Sequence, residues 1–430
     1  MTVLRKASKA LGWLALVLLA VLLAWVASNG PWADAAPRPT DPRLQPAQTR
    51  LPARDNGFVL VQALDAPLGA DLVAAGEAAL NGGAPQAAGR LRWPEAALWT
   101  CQPRREDCAA RWLDQPAAVS AYLAATAEQG ARCRQAAEAL GFEEVLVERR
   151  TDGPLAEVSF AALPWPRYAE LTNCVRWFGL QAVAARDRRE AASALAEADR
   201  FARRAFAGAR STVGVMIGVV TVQSNWLLAA DLVAHQRLDA SGLSLLLAPL
   251  PAESLSPRRW IPSEARFGRE VTRDLVDDRH NCRSSESEVA PRGWADRLVC
   301  HLGLGFLLEQ TLQDSDQRWL ARLDTLPATG APSCEALDTP AWRSPTGTGL
   351  AWRNTVARWV LDVPGVDWSP YAARQLDLEL LRQTLQSLLQ GQSPPAIVSL
   401  TREATGQRFA ACRARLATDD AEVTLRLPQL

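Results

Sequence analysis

Hydrophobic and polar positions follow two regimes along this chain. From Leu11 to Ala27 the sequence reads LGWLALVLLAVLLAWVA without one charge, whereas beyond Asn56 apolar residues recur mostly three and four apart, the spacing of one helix face. A helix rising about 1.5 Å per residue carries the first run through most of the ~30 Å hydrocarbon layer of a membrane. Trp13 and Trp25 stand near its ends, where an indole, apolar in body and polar at its N–H, suits the membrane interface. Arg5, Lys6 and Lys9 precede the run with no acid among them. The positive-inside rule then keeps residues 1–10 in the cytoplasm, makes residues 11–27 a transmembrane anchor in the inner membrane, and sends the rest outward. The competing reading is a cleavable signal peptide ending at Ala33-Asp34-Ala35. The run exceeds the usual ~7–15 residues of such signals, and Pro31 and Trp32 lie awkwardly before the site, so the retained anchor is preferred. Either way the body reaches the periplasm.

Residues 28–55 are rich in Pro, Ala, Asp and Arg without periodicity and read as a disordered tether. Residues 56–430 form the expected helical periplasmic domain. PAAVSAYLAATAEQGARCRQAAEALG, residues 116–141, reads as one long alanine-rich helix stopped by Gly141. Tyr168 to His235 reads as three successive helices. The first runs to about Ala185 and is broken by ARDRRE; the second carries Leu195, Ala198, Phe201 and Ala202 on one face. The third, from about Thr212, contains VGVMIGVVTV, yet Gln223, Asn225 and Asp231 interrupt it, so it reads as a buried core helix rather than a second span. Gly214 and Gly218, one turn apart, leave room for a close neighbour.

Past the connector PLPAESLSPRRWIP comes a strongly charged helix over 262–278, then polar DDRHNCRSSESE, then an apolar helix from about Trp294 to Leu312. Residues 327–349 hold seven Pro or Gly and read as a long loop. Tyr371 to Gln390 is the last helix, with Leu378, Leu381, Leu385 and Leu388 on one side and Gly391 as its stop. AIVSL and AEVTLRL alternate and are β-branched, which predicts a small terminal β-hairpin or three-stranded sheet. The fold class is therefore mainly α: an irregular multi-helix bundle or repeat-like helical array without a fixed period, preceded by one transmembrane helix.

Composition narrows the function. Without the three N-terminal cations, a formal net charge of zero becomes about minus three for the exported part, which argues against nucleic acid as a partner. Both lysines fall within the first nine residues and every later cation is arginine, a bias that reads as genomic composition. All eight cysteines lie beyond the anchor, and an even count there predicts disulfides. Cys101–Cys108 would close the QPRRED loop and Cys282–Cys300 the SSESEVAPRG segment; the other four allow three pairings.

Chemistry has few candidates. Glu270, Asp274 and Asp278 are successive i,i+4 positions, so their carboxylates share a helix face and could raise one pKa to make a general acid for glycoside cleavage, or bind a divalent cation. Arg266, Arg269 and Arg273 are interleaved, and a salt-bridged face is the preferred reading. His280, Cys282, Cys300 and His301 offer zinc-type donors at no standard zinc spacing, so a disulfide beside two ordinary histidines is preferred and no metal or cofactor is assigned. G-x-S-x-G and H-E-x-x-H are absent, and SPTGTG lacks the lysine of a phosphate loop. Of the sixteen tryptophans, Trp177, Trp226 and Trp319 fall inside helical patterns and read as core. Trp93, Trp99, Trp342, Trp352 and Trp368 lie in looser regions, where an indole face can stack on a sugar ring.

DNGFVLVQALDAP after the tether, the Cys-x6-Cys pair, ALAEADRFARRAFAGARSTVGVMI, the SPTGTGL loop and YAARQLDLELLRQTL occur in this order. In that order of features the chain resembles an uncharacterised group of membrane-anchored bacterial envelope proteins to which no activity is assigned; the likeness carries over no functional residue. The expected role is a protein-interaction scaffold or envelope assembly factor with a protein partner. The alternative is a glycan-active hydrolase or lyase using a carboxylate of the 262–278 helix.

Overall fold

The computed structural model describes residues 2–82, 89–95, 100–146, 165–280, 306–342, 354, 367–403, 406–415 and 423–426. It is mainly helical, with a small antiparallel sheet near the C-terminus. The N-terminal apolar run forms α1, Thr2–Asn29, none of whose most apolar window is buried against the rest of the protein.

Residues 30–55, expected as a disordered tether, lie along the body in short 3-10 turns and extended stretches. Polar side chains and one apolar side chain hold them there. Asp34 accepts the N–H groups of Glu309 (2.9 Å) and Gln310 (3.0 Å), capping the N-terminus of a later helix, α12, Leu308–Asp324. Leu44 is 1% exposed, and Arg43 pairs with Asp324 at 3.0 Å. At the end of α1, Asn29 accepts the Asn354 N–H at 2.7 Å, while Asn354 accepts the Leu307 N–H and donates to Thr311. These groups are sparse and separated by prolines, which is why no periodicity announces them.

The body begins with α2, Gly57–Gln62, all six residues of which are buried. Asn56 caps it, accepting from Phe58 N (3.1 Å) and Glu143 N (2.9 Å) and donating to Glu143 O (2.7 Å). After α3, Leu72–Leu80, and α4, Cys108–Leu113, the alanine-rich segment forms two helices, α5 Pro116–Ala125 and α6 Ala127–Glu138, instead of one. Thr126 separates them: its hydroxyl donates to Tyr122 O at 2.8 Å and accepts the Trp177 indole N–H at 3.2 Å. Gly141 does not stop the helix, which ends at Glu138; its backbone pairs with Asp55 and Gly57.

The three helices of the central region stand where the pattern puts them: α7 Ala169–Ala184, α8 Arg188–Gly208 and α9 Thr212–Ala234. Leu195, Ala198, Phe201 and Ala202 are all fully buried, and burial of each of the larger two contributes roughly 1.5–3 kcal/mol. α9 is long and apolar enough to cross a membrane, but most of it is enclosed by the body. A Cβ on Gly218 would lie 2.7 Å from Phe206 Cα of α8, so glycine sets the α8–α9 approach. Gly214 instead admits the carboxylate of Glu144.

α10, Ala240–Leu246, leads to α11, Ile261–His280, which packs beside α12. The described part of the long loop contains a short helix, α13 Cys334–Leu337, and the last long helix among the described residues is α14, Ser369–Leu389. Leu378, Leu381 and Leu385 are buried and Leu388 packs against the core. β1 Ser399–Glu403, β2 Gly406–Ala410 and β3 Val423–Leu425 form the sheet in that order, with Leu400 opposite Phe409 and Phe409 opposite Val423. A four-residue helix, α15 Cys412–Arg415, lies between β2 and β3. Disulfides join Cys101–Cys108, Cys133–Cys174 and Cys334–Cys412, which resolves the open pairings. The Cys282–Cys300 pairing, most of the Trp294–Leu312 helix, Trp99 and Trp352 lie outside the described residues.

Arginines finish many helix ends. Arg132 donates to Ala63, Leu64, Ala66 and Pro67 carbonyls beyond α2; Arg203 to Leu246, Ala248 and Pro249 beyond α10; Arg258 to Leu323, Leu326 and Pro327 at α12. Arg259 does the same for α8. A helix leaves its last carbonyls without partners, and a planar guanidinium reaches several at once where an ammonium would not.

Candidate binding cleft

α7 and α9 diverge enough to leave a cleft of about 260 Å³. Thr172, Val175 and Arg176 of α7 form one wall, and Val220, Thr221, Ser224, Asn225 and Leu228 of α9 the other. Gln102, Pro103 and Arg104 from the disulfide loop, with Trp112 of α4, close it. The Cys101–Cys108 bond shapes this loop, and strand β3 and its flank anchor it. Thr424 N–H donates to Arg104 O at 3.2 Å, and Arg426 donates to Glu106 O at 2.9 Å and lies 3.4 Å from Asp231 of α9. Burial pushes the Asp231 carboxyl up to about 8, Arg426 opposing and nearby Asp107 adding to the shift. Asp107 in turn caps α4 and sits 2.9 Å from His235 Nε2.

The lining has a clear chemical character: two guanidiniums, two amides, three hydroxyls, and apolar surface from Trp112, Val175, Val220 and Leu228. Among the described residues, no carboxylate, histidine or cysteine lines the cleft. Thr221 donates to Gly218 O at 2.8 Å. Asn225 is 1% exposed and donates through Nδ2 to Leu195 O at 3.2 Å, whereas its Oδ1 is buried with no hydrogen-bonding partner. Burial lowers the Arg176 pKa, Tyr122 opposing that shift. A second depression adjoins the first, sharing Arg104 and Val220 and adding Arg374, Arg413 and Asp377. The Asp377 carboxylate already accepts the Cys412 (2.9 Å) and Arg413 (3.3 Å) N–H groups, and burial pushes it up to about 6.

The residues singled out in the sequence lie elsewhere. Glu270 pairs with Arg273 at 2.8 Å, and the neighbouring Arg269 pairs with Asp316 of α12 at 2.5 Å. The side chains of Asp274, Asp278 and His280, and all of Cys282, Cys300 and His301, lie outside the described residues. Among the described residues no group of three His, Cys, Asp or Glu could hold a metal ion. Trp177, Trp226 and Trp319 are core. Trp342 is also fully buried and fills the interior, while half-buried Trp368 stacks on Trp260 at 5.8 Å, which occupies one of its faces. Trp93 is half-buried and donates to Glu170 at 2.7 Å.

A buried carboxylate cluster at the start of α9 was not foreseen. Glu144, 1% exposed, accepts the Ser211 N–H at 2.7 Å and the hydroxyls of Ser211 and Tyr168, while Glu264 accepts the Thr212 N–H at 2.9 Å. Burial pushes the Glu264 carboxyl up, and Glu144 adds to the shift. Both acids meet the partial positive charge of the α9 N-terminus, which is a structural task. One cleft residue did stand out in the sequence: Asn225 is among the polar interruptions that argue against a membrane span. No family model, no curated protein and no solved structure matches the chain.

Proposed function

We propose that this is a single-span envelope protein, its N-terminus cytoplasmic, that presents a disulfide-bonded helical body in the periplasm and works by binding, not catalysis. The α7–α9 cleft is the recognition site. The observation that supports this reading is a partly enclosed cleft whose described lining sets guanidiniums, amides and hydroxyls beside apolar surface. A scaffold or assembly role follows if occupancy of the cleft is what the body reports to an envelope partner. Native mass spectrometry of the full chain in detergent micelles tests binding. The wild type is expected to carry or take up a discrete ligand that S224W, with the cleft filled, does not. Equal ligand uptake by both proteins contradicts the reading.

Retention of the anchor is supported by contacts upstream of the candidate cleavage site. Cleavage after Ala35 would remove Asn29 from the buried Asn354 N–H and Asp34 from the part-buried N–H groups of Glu309 and Gln310 at the start of α12. The disulfides favour an oxidising compartment. Intact mass of the protein from the membrane fraction should include residues 1–35; a species beginning at residue 36 contradicts retention. The glycan-hydrolase alternative loses support at Glu270, which is neutralised by Arg273.

A further inference from the structure

We propose that the body is seated on the outer face of the bilayer, where the end of α1, Trp32 and the start of α12 form one rigid joint in contact with phospholipid headgroups. This rests on the reading of α1 as a retained span and adds what its outer end touches. Depth comes first. A helix rises about 1.5 Å per residue, so Asn29 stands only ~3 Å beyond Ala27, the last residue of the apolar run. The headgroup layer is about 5–7 Å deep on each side of the hydrocarbon, which places Asn29 inside it. The run itself, about 25 Å long, is shorter than the ~30 Å hydrocarbon layer, a mismatch that draws Asn29 toward the lipid.

Asn29 is also where the body begins. It is 0% exposed and accepts the Asn354 N–H at 2.7 Å, while Asn354 accepts the Leu307 N–H and donates to Thr311, each at 2.8 Å. Asp34 takes the Glu309 and Gln310 N–H groups, and Gln313 donates to Ala36 O at 2.8 Å. These bonds leave no slack between span and body, so the start of α12 shares the depth of Asn29. Exposure marks the same junction: Ala24 is exposed, Trp25 and Val26 are half-buried, and Asn29 and Gly30 are buried. With these N–H groups bonded to protein oxygens, the end of α12 can enter a water-poor layer without orphaning them.

Trp32 supplies the second, independent observation. Its side chain is 68% exposed, yet its indole N–H donates back to Ala27 O at 3.0 Å, which brings the ring level with the end of the apolar run. A Cβ on Gly30 would collide with that ring, so glycine is what lets it fold back. An indole at this depth, its N–H bonded and its apolar face outward, suits the boundary between headgroups and acyl chains.

A photo-crosslinking amino acid placed at Trp32 and, separately, at Leu308, the partly exposed first residue of α12, tests this in the purified full chain reconstituted into phosphatidylcholine nanodiscs. After irradiation, intact mass should show a phospholipid added at each position. N29L/D34A, which removes both side chains of the joint, should lose most of the adduct at 308 and keep the adduct at 32. D34A alone, which leaves Asn29 in place, should reduce the adduct at 308 part of the way, so the test does not depend on the double variant folding. The melting temperature of each variant checks its fold. A lipid adduct at 32 with none at 308 means that the body stands off on a tether; it overturns the seated joint while the span reading stands. An adduct at 308 that is undiminished in folded N29L/D34A overturns the joint as well, as does a crosslinked dimer at 308 in place of lipid, which would mean that a second copy covers this face. A chain that does not enter the discs, or that begins at residue 36, overturns the span reading too.

Discussion

Arg426, at the end of the last strand, lies 3.4 Å from Asp231 in the middle of the body, with the two side chains 8% and 2% exposed. The same guanidinium holds Glu106 O, so one residue ties the C-terminal sheet, the disulfide loop and α9 together. Cleft geometry thus depends on a chain end more than three hundred positions from the loop it holds, as the separation of 320 between Arg426 and Glu106 records.

Stability should report this pair through pH. The Asp231 carboxyl, raised to about 8 from 3.8, keeps its proton in the folded state where the unfolded chain releases it. Its contribution to stability is therefore full below the unfolded value and declines as pH rises toward 8. D231N should show a smaller loss of stability between pH 5 and pH 8 than the wild type. R426Q should destabilise the chain more at pH 8, where Asp231 is partly ionised and paired with Arg426, than at pH 5, where Asp231 is protonated. Urea unfolding at the two pH values checks both; an equal cost for R426Q at each would count against the pair.

Helix approach gives a second prediction. Gly218→Ala pushes a methyl group against the α8 backbone and should cost about 1–3 kcal/mol. Gly268→Ala on α11, where a Cβ meets nothing within 4 Å, should instead stabilise by about 0.5–1 kcal/mol through helix propensity. Melting temperatures of opposite sign are the expected outcome.

Loop length ranks the disulfides. Cys334–Cys412 closes 78 positions and Cys101–Cys108 only 7, so on chain entropy their removal should cost roughly 4–5 and 2–3 kcal/mol respectively. Replacing Cys101 and Cys108 by serine should also speed amide exchange over residues 102–106, the cleft wall, which loss of the longer bridge should not.

The segment after the anchor makes a fourth case. D34A removes the side chain that caps α12 and should cost about 1 kcal/mol. Limited proteolysis should then cut within residues 30–40 faster than in the wild type; an unchanged rate would mean the segment is held without its cap.

Much of the helical framework was legible because its apolar spacing is regular. The face of Leu195, Ala198, Phe201 and Ala202 is buried as read, and ARDRRE falls at the α7–α8 break. Pattern could not show that Thr126 divides one alanine-rich run in two, because Trp177, whose indole N–H donates to its hydroxyl, is 51 positions away. The arginine bias, read as composition, has a structural use at helix ends, where Arg132 and Arg258 each take several carbonyls. The cleft escaped for the same reason of distance. Arg104, Arg176 and Asn225 come from three separate segments and share no spacing, whereas the acids of α11 attracted notice by regular spacing, and Glu270 among them is paired with an arginine.

The central claim is that the α7–α9 cleft is occupied when the protein works. A photo-crosslinking amino acid placed at Ser224, which lines the cleft, and separately at Val213, which is 46% exposed on the same helix, tests it in intact cells. After irradiation and purification, the position 224 protein should carry one small adduct of discrete mass that is missing at position 213. Unmodified protein at both positions, or the same adducts at both, would contradict the claim.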